Sequence, residues 1–239
     1  MDRIDKILSY GLGWSRSEVK AAIKQKRVVL NNGIVRDASI KVSETDLIYV
    51  DDELVKTTFG DVIMIHKPKG VVCSTIDPHL PTVFSVFNLS TKIYHMIGRL
   101  DQDTTGLLLL TRDGQLTHQL MSPHKKVMKF YRVTLLKPIT DDAIISLKEG
   151  VDIQDETLCA PAQVNLVSEH VIELGITEGR YHQIKRMMHA LDNEVIELHR
   201  YRLGSLTLDS LSEGEWRALS KSEIESLKKR GCNEINIHD

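Results

Sequence analysis

Gly98-Arg99-Leu100-Asp101-Gln102-Asp103-Thr104-Thr105-Gly106 runs without a break into Leu107-Leu108-Leu109-Leu110-Thr111-Arg112-Asp113-Gly114. The second half is an apolar run bounded by glycines, the pattern of a strand buried inside a sheet. The first half is a short polar loop that sets an arginine beside a carboxylate, so Asp101 stands at the edge of a core. A carboxylate there needs hydrogen bonds or a cationic partner, because an unpaired buried charge costs several kcal/mol. For a single Asp in a loop the ordinary explanation is a helix cap or an Asx-turn. The wording of the whole segment sets this one apart.

Working outward, the spacing predicts a strand over 62–65 before the loop. After it come a helix at 114–121, a strand at 131–136, a helix at 141–149 and strands at 164–167 and 171–176. A helix at 181–191 then precedes strands near 195–198 and 206–208. Strands outnumber helices and do not alternate strictly with them, which favours α+β with a mixed, mostly antiparallel sheet over a doubly wound fold. At the N-terminal end, residues 3–10 and 15–27 read as two helices separated by Gly11 and Gly13. Ser15 is placed as an N-cap, with Glu18 three positions on to complete a capping box. A strand over 27–30 turns through Asn31-Asn32-Gly33 into Ile34-Val35, a hairpin signal. Residues 50–60 are polar and acidic and are expected to be a linker, giving two domains, 1–57 and 58–239.

At 239 residues and 41% hydrophobic, the chain has material for a small domain plus a medium one. Its net charge of −2 excludes nucleic-acid binding through bulk charge, so any such affinity must come from local basic patches. The second helix offers one: Arg16, Lys20, Lys24, Lys26 and Arg27 against a single acid, Glu18, with Lys20 and Lys24 on one face. Read alone, such a stripe is more often merely a solvated helix face. Cys73, Cys159 and Cys232 are far apart and in no C-x-x-C pair, so neither a disulfide framework nor a cysteine zinc site is indicated. No compact ligand cluster joins the histidines; His182 and His189, seven apart, have no acid between them. No stretch approaches the roughly 20 apolar residues that span a bilayer. A cytoplasmic monomer with no membrane association, no metal and no nucleotide is expected.

The segment around Asp101 resembles the catalytic motif of the pseudouridine synthases, in which Gly-Arg-Leu-Asp, a few variable positions and Thr-Gly-Leu-Leu carry an essential aspartate. Three further stretches follow in that family's order. Lys129-Phe130-Tyr131-Arg132-Val133 is similar to its Lys-x-Tyr-x-Val strand, Glu178-Gly179-Arg180-Tyr181-His182-Gln183-Ile184-Lys185-Arg186-Met187 to its third motif, and Leu198-His199-Arg200-Tyr201-Arg202-Leu203-Gly204 to its last. In His66-Lys67-Pro68-Lys69-Gly70 the family usually has Asn where this chain has His66. The N-terminal order of helix, turn, helix and hairpin, with Ser15-Arg16 at a helix start and Val28-Val29-Leu30-Asn31 after it, resembles an S4-type RNA-binding domain.

The resemblance implies isomerisation of a uridine in RNA, with Asp101 acting on the sugar or base and no cofactor. It implies Lys185 as the cation that keeps Asp101 ionised against burial. Tyr131 is implied as the ring under the flipped uracil, and Leu198 as the floor of the pocket. Arg99 holds a phosphate or the space left in the stack, and Arg180 also contacts substrate. Arg16, Lys20, Lys24 and Lys67 are expected to contact phosphates, although the turn at Pro68 and Gly70 explains Lys67 without RNA. The spelling Tyr181-His182, together with the run from Cys73 to Val83, favours the branch that modifies 16S RNA of the small subunit, in an assembling particle. The competing readings are a synthase for 23S RNA, a non-catalytic RNA-binding assembly factor, and a hydrolase pairing Asp101 with His95 or His118. Residue by residue the ordinary explanations stand: Tyr131 alternates with Val133 and Leu135 and suits a core, and Lys185 suits a helix surface.

Overall fold

Leu107, Leu108, Leu109 and Leu110 are all fully buried, side chains on both faces of one strand. That is why the run reads as continuous and not alternating: its strand is covered on both sides. The structure, a computed structural model, describes residues 2–12, 14–43, 45–55, 62–121 and 127–229. The chain forms two compact units, residues 1–61 with 89–94, and residues 62–88 with 95–239.

The first unit begins with β1 (Asp2–Arg3), α1 (Ile4–Leu12) and α2 (Arg16–Lys24), followed by the hairpin of β2 (Val28–Leu30) and β3 (Gly33–Ile34). β4 (Lys41–Val42), β5 (Ile48–Val50) and β6 (Glu53–Leu54) complete it, with sheet order β3-β2-β5-β6 and a separate β1-β4 pair. Ser15 Oγ accepts the Glu18 N–H at 3.2 Å while the Glu18 carboxylate accepts the Ser15 N–H at 2.6 Å, so the capping box forms as read. α2 stops earlier than expected because Lys26 takes a left-handed φ of 62°. The Lys26 and Arg27 N–H groups then close back on the Ile23 and Ala22 carbonyls. α1 runs through Gly11 to Leu12. Ile4, Leu8, Val19, Ile23, Val28 and Ile48 make the core of this unit.

The expected linker is in part structured. Asp51 and Asp52, at φ 52° and 65°, form the tight turn of a β5–β6 hairpin, and Val55 packs into the small core. Two consecutive aspartates read as polar linker because the turn needs two residues that tolerate positive φ, and Asp is one of few that do. The expected division after residue 57 lies outside the described residues.

In the second unit, β7 (Val62–Lys67), α3 (Val83–Val86), β8 (His95–Ile97), β9 (Thr105–Thr111), α4 (Gly114–Met121) and β10 (Lys129–Leu135) come first. α5 (Asp141–Glu149), β11 (Gln163–Ser168), β12 (Val171–Ile176), α6 (Gln183–Ala190), β13 (Val195–Leu203), β14 (Leu206–Thr207), β15 (Trp216–Ala218) and α7 (Lys221–Lys229) follow. One mixed sheet runs β11-β12-β10-β13-β9-β7-β15, with β14 on β13 and β8 on β9. The fold is α+β, as expected. β13 extends five residues past the expected strand, and β8, β15, α3 and α7, which are short or polar, were not anticipated. α6 begins at Gln183 and not at Tyr181, because His182 is left-handed at φ 49°.

Among the described residues all strand pairings in this sheet are antiparallel except one: β13 and β9 run parallel over His199–Thr105 and Arg200–Gly106. Gly106, at φ 114°, lies so close to β13 that an added Cβ would sit 2.2 Å from the Arg200 carbonyl oxygen. Only glycine fits there, and the close approach fixes the loop immediately before it. Among the described residues no helix is long and apolar enough to cross a membrane.

Candidate active site

The loop carrying Asp101 is tied down from beneath. The Gln102 carbonyl accepts the Gly70 N–H at 2.8 Å and the Lys67 ammonium at 3.3 Å. The Leu100 N–H donates to Cys73 Sγ at 3.3 Å, and the Thr104 N–H returns to the Asp101 carbonyl at 3.2 Å. Lys67 is 0% exposed, and its ammonium also donates to the Pro68 and Val71 carbonyls at 2.9 and 2.7 Å. Burial pushes that ammonium below the usual lysine range, against the pull of Cys73, Asp103 and Asp101. The expectation that Lys67 grips RNA is therefore corrected: it is a buried clamp that joins the 67–71 turn to the loop carrying Asp101. A lysine before Pro and Gly reads as a surface turn because three backbone acceptors converging on it come from sequence-distant or turn geometry.

With its backbone fixed, Asp101 presents its side chain to an open cleft holding about 460 Å³ of empty space. Arg99, Asp101, Tyr131, Arg180, Lys185 and Leu198 all line it. Four elements deliver them: the loop before β9, the strands β10 and β13, and α6 with the turn preceding it. Lys185 Nζ stands 3.4 Å from Asp101 Oδ2 and 2.6 Å from Asp103 Oδ1. The expected cation is thus beside Asp101, but it serves two carboxylates and makes its shorter contact with Asp103. Burial is the largest single influence and works against charge on both partners; the hydrogen bond between them and the attraction of opposite charges together outweigh it, leaving Asp103 below the usual carboxylate range and Lys185 above the usual lysine one. On the other side of Asp101, His182 Nε2 lies 3.6 Å from Oδ1.

Tyr131 is 7% exposed, so the core explanation and the cleft explanation both hold: its strand packs inward and its ring still faces the cleft. Behind it sits Arg200, 2% exposed, whose Nε donates to the Leu107 carbonyl at 2.7 Å. Arg200 Nη1 donates to Tyr131 Oη at 3.5 Å, and its buried Nη2 has no hydrogen-bond partner among the described residues. Lys129, two residues before Tyr131 on β10, is pushed down to about 8 by burial first and then by the neighbouring Arg200 charge. Arg200 therefore backs the ring, with half-buried Lys129 its neighbour in the sheet.

Arg180 lines the wall, yet its guanidinium is saturated by the Thr157 and Leu158 carbonyls at 2.6 and 2.7 Å and by Glu178 at 2.9 Å. It braces the turn before α6 while forming part of the cleft wall. Arg99 is exposed at the cleft. Leu198 is 7% exposed on β13 and contributes an apolar patch. His66 holds the Leu211 carbonyl through Nδ1 at 2.8 Å and is not on the cleft. Neither His95 nor His118 lines the cleft, so the hydrolase pairing with Asp101 does not form. In the first unit Arg16, Lys20 and Lys24 are exposed on the side of α2 opposite buried Val19, Ala22 and Ile23. His182, Asp103 and Arg200 were not singled out as site residues; for Arg200 the sequence signal was its place two residues after Leu198.

A carboxylate held by a cation at the floor of an open cleft, flanked by an aromatic ring and an aliphatic side chain, suits a planar base with an attached sugar. Residues 61–190 match the family described as RNA pseudouridylate synthase, and residues 2–48 match the S4 domain. The chain is similar to ribosomal small subunit pseudouridine synthase A of Haemophilus influenzae, 43% identical over 95% of this chain and all of that one. Its namesake in Escherichia coli is 42% identical over 94% of this chain and 99% of the relative. A solved structure described as a pseudouridylate synthase, 40% identical, superposes with a TM-score of 0.66 over 95% of this chain and all of that one.

Proposed function

The chain belongs to the RNA pseudouridylate synthases, and from that premise we propose that its cleft converts one uridine of small-subunit 16S ribosomal RNA to pseudouridine, with Asp101 as the catalytic carboxylate. The observation that carries this is Asp101 fixed at the cleft with Lys185 Nζ 3.4 Å away. The reaction breaks the bond from uracil N1 to ribose C1′, turns the base, joins C5 to C1′ and releases the C5 proton, so it needs no oxidant and no cofactor.

The target uridine leaves its stack to enter the cleft, at a cost of a few kcal/mol that contacts within the cleft offset. Tyr131 gives the base a face and brings its hydroxyl to the proton-transfer steps, Leu198 closes the floor, and Arg99 meets a phosphate at the mouth. Asp101 acts in its ionised form, whether it adds to C1′ or removes a sugar proton, and Lys185 opposes the burial that disfavours that form. Arg16, Lys20 and Lys24 of the S4 domain supply phosphate contacts that add affinity without reading sequence. The protein acts as a cytoplasmic monomer on an assembling small-subunit particle, where the base to be splayed out is still accessible. A synthase for the 23S RNA is the second reading; the near full-length similarity to small-subunit enzymes favours the first.

Tritium release from 16S RNA labelled at uridine C5 tests the reaction. The protein releases tritium, and Asp101→Asn falls to background while RNA binding stays within a few-fold, because binding rests mainly on phosphate contacts. Activity surviving in Asp101→Asn removes that residue from the mechanism. Carbodiimide primer-extension mapping in a deletion strain tests the substrate: a pseudouridine missing from 23S RNA with 16S RNA intact refutes the assignment and leaves the reaction class standing.

A further inference from the structure

Tyr181 and His182 form a stacked aromatic pair beside the cleft, with ring centroids 3.9 Å apart and planes 17° from parallel. The two rings are placed differently. His182 lines the cleft and faces Asp101, whereas Tyr181 is 76% exposed and contributes nothing to the core. The pair exists because His182 takes φ 49° and ψ 33°, a left-handed backbone that is unfavourable for a residue with a Cβ. The surrounding chain enforces it. Gln183 Oε1 accepts the Arg180 N–H at 3.1 Å, Gln183 Nε2 donates to Glu178 at 2.8 Å, and Arg186 Nη1 donates to the Tyr181 carbonyl at 3.3 Å. Backbone strain held this firmly is a feature of ligand-clamping segments, and what it delivers here is an aromatic face in water at the edge of a substrate cleft.

Resting on the proposed function, we propose that Tyr181 is the stacking platform for the nucleobase adjoining the target uridine. When the uridine flips into the cleft its neighbour loses a stacking partner. The free face of Tyr181, backed by His182, replaces that partner and holds the RNA open. The ligand class is an unpaired base of single-stranded RNA, read by ring area and not by hydrogen bonds, so purines are preferred to pyrimidines. The pair also couples the platform to the chemistry, since the ring that supports Tyr181 is the one 3.6 Å from Asp101.

The test uses a short 16S fragment containing the mapped uridine, with 2-aminopurine placed at the 5′ or the 3′ neighbour, bound to the Asp101→Asn protein so that no turnover occurs. Fluorescence at one of the two neighbours is quenched on binding. Tyr181→Ala in the same background abolishes that quenching and weakens binding roughly tenfold, while Tyr181→Phe keeps both, as stacking on an aromatic ring requires. An abasic site at the same neighbour weakens binding to the parent protein by a similar factor and has no further effect on Tyr181→Ala. Quenching that survives Tyr181→Ala, quenching at neither neighbour, or losses that multiply overturn the platform. If the unsubstituted protein leaves 16S RNA unmodified, the failure belongs to the proposed function; if it modifies 16S RNA and the fluorescence pattern fails, only the platform falls.

Discussion

Lys185 holds Asp101 at 3.4 Å while giving its shorter hydrogen bond, 2.6 Å, to Asp103. One ammonium thus neutralises two carboxylates that lie two residues apart in the same loop. Lys185→Met removes the partner that holds Asp103 below the usual carboxylate range and leaves both carboxylates without their shared cation. Turnover is expected to fall roughly a hundredfold, with the acidic limb of the pH-rate profile moved upward. Asp103→Asn, which leaves Lys185 to Asp101 alone, keeps most of the activity. Normal turnover and an unmoved profile in Lys185→Met would show that the ion pair is not used.

Arg200 is expected to separate stability from activity. Its guanidinium is almost wholly buried behind Tyr131, and one of its nitrogens lacks a hydrogen-bond partner among the described residues. Replacing a poorly satisfied buried charge by an apolar side chain of similar length is often neutral or stabilising. Arg200→Met should therefore unfold within about 1 kcal/mol of the parent in urea, or later. Turnover should fall at least tenfold, because Tyr131 Oη loses the Nη1 donor at 3.5 Å. A loss of stability with unchanged turnover would make Arg200 a structural residue only.

Much of this site was legible because the pattern of the chain and the geometry coincide at particular residues. Asp101, Tyr131, Lys185 and Leu198 come from four distant segments, each with local wording that placed it on a loop, strand or helix. The tetraleucine strand was readable because burial on both faces leaves no alternation to misread. Lys67 misled for a simple reason. A cation in a polar, turn-rich stretch looks solvent-facing, and the backbone carbonyls that capture it are visible only after the chain closes. Arg200 was passed over because a charged residue on a strand gives no sign that the facing strand is parallel, close and glycine-lined. The left-handed start of α6 was hidden as well, since neither Tyr181 nor His182 is a residue that usually marks positive φ breaks as glycine does.

Gly106→Ala should be among the most damaging single changes in the protein. At φ 114° an alanine is strained whatever the space, and its Cβ would lie 2.2 Å from the Arg200 carbonyl oxygen and 2.7 Å from its nitrogen. Backbone atoms in a paired strand cannot move aside as a side-chain tip can. The expected loss is more than about 3 kcal/mol in urea unfolding, with activity reduced further because β9 and the Asp101 loop shift together. A loss below about 1 kcal/mol would mean that β9 and β13 separate easily.

Two sets of lysines give opposite results in one RNA-binding experiment. Reversing charge at Lys20 and Lys24, exposed on α2, should weaken binding and flatten its salt dependence by roughly 0.7 to 0.9 log units per lost phosphate contact, with turnover on saturating RNA largely kept. Lys67→Met should leave the salt slope unchanged and lower stability, since the three carbonyls it serves lose their donor. An unchanged slope in the double reversal returns the stripe to plain solvated surface. A flattened slope in Lys67→Met contradicts its burial.

Lys129 gives the fold a specific pH signature. Burial, reinforced by Arg200, pushes its ammonium from 10.5 down to about 8, although it still donates to the Val127 and Thr177 carbonyls at 3.1 Å. Between those two values the unfolded chain binds a proton that the folded chain does not, so this group's contribution to stability rises as pH rises through the window. Below pH 8 the cost of keeping it charged is fully present, and it is bounded at roughly 3 kcal/mol by the size of the shift. Lys129→Met removes the cost and the slope together. The variant should therefore gain on the parent at pH 7, and the difference should narrow by pH 10 in paired urea titrations, where other groups titrating in the same range cancel. A difference that stays constant or widens over that interval would show that Lys129 keeps an ordinary ammonium in the folded protein.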